Sequence, residues 1–574
     1  MNATVSSYFH RGGEHPLLGT TIAEHFLSVV ERFPDHEAVI SLPQQRRLTY
    51  REFSDSIDIL ARGLAGLGFN RGDRIGIWST NNIEWLLVQM ATARIGVILV
   101  NINPAYRLQE LSFALQQSRL QGLFVIPRFR SSDYVGMLLE LIPELQHEGP
   151  EIDSKTFPSL ARIFLLDPAN AETTESPAPG FTLWQDLILR AETLSQVELT
   201  QLTAALDRDD VINIQYTSGT TGFPKAVMLS HHNILNNAWF SAQSMHFDEH
   251  DKLVVPVPFY HCFGMVLANL LCFSVGACVV IGSEHFDAKQ VLEAIVKENC
   301  SAIHGVPTMF IEILEHEDFA SHDLSCLRTG IMAGAPCPPE LMTRVIKDMH
   351  CSEILIGYGE TEASPLTHLT TRDDSFERRI ETVGHNLPYQ EVKIIDTDSG
   401  ATVALGKVGE ICFRGYHVMR GYYNEPEKTA QAIDQAGWLL SGDLGIMDAE
   451  GYVRITGRRK EMIIRGGENI YPREIEDFLF SHPGVAAVAV FGVPDERLGE
   501  QVVAWIQLHS GASASETEIR AFCKDKIAHF KIPKYIRFVE EFPMTITGKM
   551  QKFKMREMMQ GYLQQASTTN SKSD

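Results

Sequence analysis

Positive charge is scarce in this sequence. The chain has 50 Lys and Arg against 72 Asp and Glu, which gives a formal net charge of −22 at pH 7. Nucleic acids and anionic membrane surfaces repel such a chain unless a local basic patch outweighs the total. We therefore predict no nucleic-acid partner.

A local basic patch is present near the C-terminus. Residues 520–556 contain ten Lys and Arg but only three acids. Two interpretations stay open: a solvated basic face, or a surface that attracts phosphate groups.

Cysteine is also sparse. The chain has 9 cysteines at scattered positions and no Cys-x-x-Cys pair. This odd, scattered set predicts reduced cysteines in the core and neither a disulfide framework nor a zinc site. Residues 1–19 lack the apolar stretch of a signal peptide and are too poor in Arg for a transit peptide. The predicted location is the cytoplasm, with peripheral membrane contact left open.

One uncharged stretch raises the question of a membrane span. Residues 262–282 carry no charge and are long enough to cross a bilayer. The alternative is a buried helix that ends at Gly276 and a buried strand after it. We favour the helix and strand, because a lone span would also need basic flanks.

Short apolar strands alternate with helical patterns along most of the chain. Strands are predicted at 74–78 and 96–101, with a helix at 82–93 between them. This alternation predicts an α/β fold, with a large N-terminal domain of several subdomains and largely parallel sheets. The sequence after the joint predicts a small α+β domain, whose strands 485–492 and 502–508 are joined by a turn at Pro494-Asp495. The predicted bounds are 1–457, a joint at 458–461, a small domain at 462–565 and a flexible tail at 566–574.

The most informative loop spans residues 216–225 and reads YTSGTTGFPK. Glycines let backbone N–H groups approach an anion, hydroxyls add donors, and Lys225 adds a charge, so the loop suits a triphosphate. It is not a Walker A loop, because Ala226 stands where that loop carries the Mg²⁺-binding hydroxyl. The following residues favour a strand, so we predict a loop between two strands. A plain surface turn is the alternative.

Five further motifs follow in the order of a known family. They are Tyr358-Gly359-Glu360-Thr361-Glu362, Ser441-Gly442-Asp443-Leu444, Gly457-Arg458-Arg459-Lys460, Gly466-Gly467-Glu468-Asn469 and Thr547-Gly548-Lys549. With the loop, they make the chain resemble the adenylate-forming enzymes of the acyl-CoA synthetase/luciferase superfamily, from about residue 48 to Arg556. Segments 100–107 and 529–534 look closest to medium- and long-chain fatty-acyl-CoA synthetases.

The resemblance implies two half-reactions. A carboxylic acid, expected to be a medium- to long-chain fatty acid, attacks Mg·ATP to give acyl-AMP and pyrophosphate. Coenzyme A then displaces AMP and forms a thioester. The alternatives are a ligase that loads a carrier protein, a luciferase-like oxygenase, and a catalytically inactive nucleotide or acyl sensor. Oligomeric state is left open, a homodimer included.

The resemblance also implies roles for the nucleotide-binding residues. The β- and γ-phosphates are assigned to Thr217, Ser218, Gly219, Thr220, Thr221, Gly222 and Lys225. Tyr358 is expected to stack on adenine, with Gly334 and Ala335 along its other side. Asp443 and Arg458 are expected to bind the ribose, although two solvated surface charges are the alternative.

The remaining roles concern the reaction itself. Thr361 is expected to contact the α-phosphate, and Glu362 to ligate Mg²⁺, since a hard cation prefers carboxylate oxygen. For Glu362 the alternative is a helix N-terminal acid. Lys549 is expected to stabilise the charge that develops during adenylation. Lys460 is the expected hinge.

Two further expectations concern the acyl group and coenzyme A. His261 either gates the acyl site or is a satisfied core histidine. Gly466 and Gly467 are expected to leave room for the pantetheine arm.

Overall fold

The computed structural model describes residues 5–147, 149–166, 168, 176–217, 224–466, 468–495, 497–524, 526–544 and 550–570, with 469 and 564–570 described by their backbone only. The chain forms two compact units. The smaller unit comprises Met1–Phe9, Val392–Cys412 and Leu440–Asp574, and the larger one comprises His10–Glu391 and Phe413–Leu439.

One sheet of the larger unit carries the ends of the phosphate loop. Its strands lie in the spatial order Phe181–Leu183, Arg162–Leu165, Gly122–Val125, Arg74–Trp78, Ile98–Asn101, Val211–Thr217, Lys225–Ser230 and Gly421–Tyr422. Neighbouring strands are parallel as far as Val211–Thr217, and the last two pairs are antiparallel.

A second sheet of this unit has parallel strands at its centre and antiparallel pairs at both ends. Its order is His385–Asn386, Leu366–Leu369, Glu353–Gly359, Thr329–Ala333, Ala302–Ile303, Lys252–Val254, Cys278–Ile281, Glu37–Ser41 and Arg46–Thr49. The prediction of an α/β fold with largely parallel sheets is therefore confirmed. A short hairpin of Arg128–Phe129 and Ser132–Asp133 lies apart from both sheets.

Helices connect these strands, and several of them begin at polar caps. For example, Thr21 and Thr49 each close a capping box with a Glu three residues later. The α-helices of this unit, apart from those in the uncharged stretch, are Ile22–Arg32, Tyr50–Gly66, Ile83–Ile95, Leu108–Ser118, Tyr134–Leu141, Trp184–Leu189, Gln196–Ala204, His231–Ser244, Ala288–Glu298, Pro307–Leu314, Pro339–Asp348, Phe376–Glu381 and Pro426–Ala432.

The uncharged stretch folds as a buried helical segment and a strand. Two short α-helices, Cys262–Gly264 and Leu271–Val275, flank the π-helix Met265–Leu270. Gly276 then ends the segment with a φ of 92°, which favours glycine, and the strand Cys278–Ile281 follows. The predicted helix, break and strand are confirmed. No helix within the described ranges is long and apolar enough to cross a membrane.

The remaining strands of the described residues form two more sheets. One has the order Tyr8–His10, Gln390–Ile395, Gly409–Gly415, Leu439–Met447 and Val453–Arg458. The other lies wholly in the smaller unit and has the order Glu468–Ile470, Ile463–Arg465, Gly499–Leu508 and Val485–Asp495, with Tyr535–Phe538 also paired to Gly499–Leu508. The α-helices of the smaller unit are Pro472–Phe480, Glu516–Cys523 and Lys552–Asn570.

The structure differs from the sequence predictions at three places. The predicted turn at Pro494-Asp495 is wrong, because the strand continues to Asp495 and Pro494 lies opposite Glu500. A proline is tolerated there because this strand lies at the sheet edge. The last helix continues to Asn570, into the predicted tail. Residues 440–457 belong to the smaller compact unit, whereas the predicted boundary lies after them.

Candidate active site

The phosphate loop connects two antiparallel strands of the larger unit. Val211–Thr217 pairs with Lys225–Ser230, and Thr217 lies directly opposite Lys225. The predicted connection between strands is therefore confirmed. The loop residues predicted to surround the phosphates, Ser218, Gly219, Thr220, Thr221 and Gly222, lie outside the described residues.

Lys225 and Glu362 meet at a tyrosine that sequence reasoning missed. The Nζ atom of Lys225 donates a hydrogen bond to the hydroxyl of Tyr422 at 3.2 Å and lies 4.5 Å from the centre of its ring. The same hydroxyl donates to Oε1 of Glu362 at 2.9 Å. Tyr422 lies beside the Lys225 strand because it pairs with Val227. Only this pairing identifies it, since Gly421-Tyr422-Tyr423 carries no recognisable signal.

Thr361 and Glu362 lie in a short turn after the strand Glu353–Gly359. The turn is a single 3₁₀ segment, Thr361–Ala363, and the N–H of Met419 donates to the carbonyl of Glu362 at 2.9 Å. Because the segment has only three residues, it cannot provide the dipole of an α-helix. The helix N-terminal alternative for Glu362 therefore has no support here.

His261 lies close to Thr361 through the buried thiol of Cys262. The Cys262 Sγ atom is 3.6 Å from Oγ1 of Thr361 and 3.7 Å from Nδ1 of His261. The Nδ1 atom also accepts from the N–H of Phe263 at 3.1 Å, so a neutral His261 carries its proton on Nε2. The ring is half-buried.

His304 shows the contrasting environment of a satisfied core histidine. It is fully buried, its Nδ1 accepts from the N–H of Ile331, and its Nε2 contacts the carbonyl of Leu267 at 2.9 Å. Burial lowers the pKa of His304 to about 4. His261 differs from it in being only half-buried, and its role as a gate of the acyl site stays a prediction.

The residues predicted to bind adenine lie at the ends of two adjacent parallel strands. Tyr358 is near the end of Glu353–Gly359, and its carbonyl accepts from the Thr367 hydroxyl at 3.0 Å. Gly334 and Ala335 follow Thr329–Ala333, the next strand in the sheet. Gly334 has a φ of 85°, which favours glycine. Carboxyl ends of parallel strands are where ligands bind in open α/β sheets.

The predicted ribose residues form an ion pair in the smaller unit. Asp443 and Arg458 lie opposite each other on antiparallel strands, with Nε of Arg458 at 3.1 Å from Oδ1 of Asp443. Asp443 is only 7% exposed, so it is not a solvated surface charge. Glu410 supports the turn beside it, because it accepts from the N–H of Gly442 and pairs with Arg459 at 2.9 Å. Sequence reasoning missed Glu410.

The predicted hinge and pantetheine residues follow in the same unit. Lys460 is exposed in the 3₁₀ turn Arg459–Glu461. Gly466 has a φ of 61°, and its N–H donates to the carbonyl of Leu498 at 2.7 Å. Glycine is favoured there by the backbone angle, since an added Cβ would lie 3.4 Å from Leu498, an ordinary contact. Gly467 and Lys549 lie outside the described residues.

Glu362 suits Mg²⁺ better than it suits a metal ion whose ligands all come from the protein. In the part of the chain that the structure describes, no group of three His, Cys, Asp or Glu is arranged to hold a metal ion. Mg²⁺ is commonly held by one or two carboxylates together with substrate phosphates and water. Glu362, close to Lys225 through Tyr422, is a donor of that type.

The chain is similar to known proteins over most of its length. The family model described as "AMP-binding enzyme" matches residues 26–423, and "AMP-binding enzyme C-terminal domain" matches 474–549. The chain is 47% identical to "Putative acyl-CoA synthetase YngI" of Bacillus subtilis (strain 168), covering 94% of this chain and 97% of that one. It is 44% identical to "Medium-chain acyl-CoA ligase ACSF2, mitochondrial" of Danio rerio, covering 96% and 90%. Its fold is similar to that of ATP-bound MatB from Rhodopseudomonas palustris, with a TM-score of 0.78, 26% identity and coverage of 94% and 99%.

Proposed function

Because this chain belongs to the family of AMP-binding enzymes, we propose that it acts as an AMP-forming acid–CoA ligase. It joins a carboxylic acid to ATP, releases pyrophosphate, and then passes the acyl group from acyl-AMP to the thiol of coenzyme A. The observation that carries this proposal is the nearly full-length similarity to proteins named acyl-CoA synthetase and acyl-CoA ligase. The family model of the C-terminal domain matches as well.

The first half-reaction uses the residues around Lys225. A carboxylate oxygen of the acid attacks the α-phosphorus, and the bond to the β-phosphate oxygen breaks. Lys225 and the loop 217–222 bind the β- and γ-phosphates, so they stabilise the leaving pyrophosphate. The Thr361 hydroxyl donates to the α-phosphate, and Lys549 stabilises the charge between carboxylate and phosphate.

Magnesium is proposed to bind at Glu362. When bound, the ion would neutralise phosphate charge during adenylation. Glu362 supplies a carboxylate oxygen, and its hydrogen bond from Tyr422 orients that carboxylate.

Adenine and ribose are each assigned their own residues in this proposal. Tyr358 stacks on adenine, and Gly334 and Ala335 allow the backbone to approach its other side. Asp443 accepts hydrogen bonds from the ribose hydroxyls, and Arg458 donates to the ribose. Their ion pair keeps the carboxylate oriented in the free protein.

The thioester step is assigned to residues after 457. Lys460 is the proposed hinge between the half-reactions, and Gly466 and Gly467 leave room for the pantetheine arm. The thiolate sulfur attacks the acyl carbon, the bond to the AMP oxygen breaks, and AMP leaves with its electron pair. His261, half-buried and next to Cys262, is the proposed gate of the acyl site.

The proposed acid is a fatty acid of medium to long chain. The name of the Danio rerio relative, a medium-chain acyl-CoA ligase, supports this class. The relatives' names also support coenzyme A, and not a carrier protein, as the acyl acceptor. A cytoplasmic location with small molecules as partners remains part of the proposal.

The direct test measures pyrophosphate and AMP release with straight-chain acids from acetate to stearate, with and without coenzyme A. We expect pyrophosphate release that depends on the acid and AMP release that depends on coenzyme A. Lys225→Ala serves as the matched control and should lose the first step. Failure to form AMP with any of these acids and coenzyme A would contradict the proposal, and pyrophosphate release without thioester formation would favour a carrier-loading ligase.

A further inference from the structure

Tyr422 connects the two charged groups on which the proposed ATP site depends. Its hydroxyl accepts from the Lys225 ammonium at 3.2 Å and donates to the Glu362 carboxylate at 2.9 Å. A phenol can do both at once, since it has one O–H donor and acceptor lone pairs. The ring also faces the ammonium, with Nζ 4.5 Å from its centre, an arrangement that attracts a cation.

The tyrosine also keeps the two charges apart. Among the described residues, Lys225 and Glu362 form no direct ion pair, although both contact the same oxygen. An ammonium and a carboxylate this close would attract each other and form one if the space between them were free. A direct ion pair would weaken the binding of ligands by both residues. The ammonium would attract phosphate less strongly, and the carboxylate would attract a cation less strongly.

The position of Tyr422 is set by the surrounding backbone. Tyr422 is 4% exposed and pairs with Val227 in the sheet. Its N–H donates to the Thr429 hydroxyl at 2.9 Å, and that hydroxyl donates to the carbonyl of Glu425 at 2.9 Å. Side chains locked by packing and hydrogen bonds hold their partners within a narrow range of geometry.

We propose that Tyr422 is a positioning residue, a neutral spacer that holds Lys225 for the phosphates and Glu362 for the divalent cation while preventing their mutual neutralisation. This inference rests on the proposed function, because it concerns the binding of Mg·ATP at the same site. It assigns a role to a residue outside the phosphate loop and outside the motif that contains Glu362.

The test is Tyr422→Phe, which keeps the ring and removes the hydroxyl. Hydrogen bonds to charged groups are worth about 1.5–3 kcal/mol, so we expect the Mg²⁺ concentration for half-maximal pyrophosphate release to rise about ten- to hundredfold. The KM for Mg·ATP should rise with it, whereas the KM for the acid and acyl transfer from preformed acyl-AMP should change little. Calorimetric binding of a non-hydrolysable Mg·ATP analogue gives a second readout that needs no turnover.

The matched control is Tyr423→Phe, which removes the neighbouring phenol. Its ring contact with the Arg74 guanidinium, at 5.7 Å, survives the change, so this variant should behave as wild type. Equal behaviour of the two variants would overturn the inference. Loss of the thermal unfolding transition in Tyr422→Phe, or an equal slowing of both half-reactions, would overturn it too, because the tyrosine would then be structural.

The binding measurement separates this inference from the proposed function. If the wild type binds the Mg·ATP analogue but forms no acyl-CoA, the proposed function fails, while weaker binding by Tyr422→Phe still supports the spacer. If acyl-CoA forms and both variants bind the analogue as the wild type does, the spacer role of Tyr422 is refuted and the proposed function stands.

Discussion

Several histidines in the larger unit are buried in their neutral form. His417 is fully buried, and neither ring nitrogen has a hydrogen-bond partner among the described residues. Burial lowers the pKa of His417 to about 3 and that of His231 to about 4. His368 behaves similarly, with a pKa of about 3. These rings tolerate burial only because they are uncharged.

This environment predicts a loss of stability in mild acid. A histidine whose pKa is lowered by burial binds a proton in the unfolded chain at a higher pH than in the folded chain. Its contribution to the free energy of unfolding is therefore complete above about pH 6.5 and falls as the pH drops towards the folded pKa. Each such group contributes a slope of up to about 1.4 kcal/mol per pH unit. His417→Phe should therefore reduce the fall in Tm between pH 7.5 and about 5. The exposed His250, changed to Gln, is the control and should leave the slope as in wild type, and an unchanged slope in His417→Phe would count against this account.

At the scale of an element, the last helix is tied to the rest of the smaller unit by its first residue. Lys552 Nζ lies 2.7 Å from Oε1 of Glu476 and 3.1 Å from Oε2 of Glu461, and its side chain is 18% exposed. Glu476 Oε1 also accepts from the N–H of Val490 at 2.7 Å. Burial lowers the pKa of Lys552, but the two carboxylates outweigh it, and the net pKa is raised.

Removing this charge should destabilise the smaller unit. Lys552→Met keeps the apolar stem but leaves Glu476 without its ammonium, and breaking a buried pair costs about 3–5 kcal/mol. Because Glu461 is partly exposed, we expect about 2 kcal/mol. Urea unfolding followed at Trp505, which is buried in this unit, measures the change. Lys554→Met serves as the control on the same helix, and equal midpoints for the two variants would disprove the role of Lys552.

At the scale of the whole molecule, the residues assigned to the proposed reaction are divided between the two compact units. Lys225, His261, Tyr358, Thr361 and Glu362 belong to the larger unit. Asp443, Arg458, Lys460 and Gly466 belong to the smaller one. A ligase with two half-reactions can use different parts of the chain for each, which makes the two steps separable by mutation.

Lys549→Ala should slow acyl-AMP formation by about 10²–10³, the usual effect of losing one charge-stabilising group, and should spare acyl transfer from preformed acyl-AMP. Lys460→Pro should do the reverse, because proline restricts φ at the proposed hinge. Gly466→Trp should resemble Lys460→Pro by filling the path of the thiol. Pyrophosphate exchange reports the first step, and acyl-AMP with coenzyme A reports the second. Lys460→Ala controls for loss of the charge, and equal impairment of both steps by Lys549→Ala would refute the division.

Much of the fold follows from local sequence. The strand Arg74–Trp78 has the predicted bounds, the strand predicted after Gly276 is Cys278–Ile281, and the predicted helix at 82–93 is Ile83–Ile95. These elements depend on short apolar patterns and caps, such as Asn82 accepting from the N–H of Trp85, which neighbouring residues determine. The turn predicted at Pro494-Asp495 failed because pairing with Gly499–Leu508 outweighs the local preference of proline at a sheet edge.

The sequence by itself determined the family, the α/β class and the residue types that can hold a nucleotide, because these depend on local patterns and on motifs in a set order. The tertiary structure decided which charges act together. Tyr422 lies 197 residues from Lys225 and 60 from Glu362, and Lys552 reaches back to Glu476. No local pattern encodes such contacts, since they exist only when strand pairing and helix packing bring distant segments within hydrogen-bonding distance.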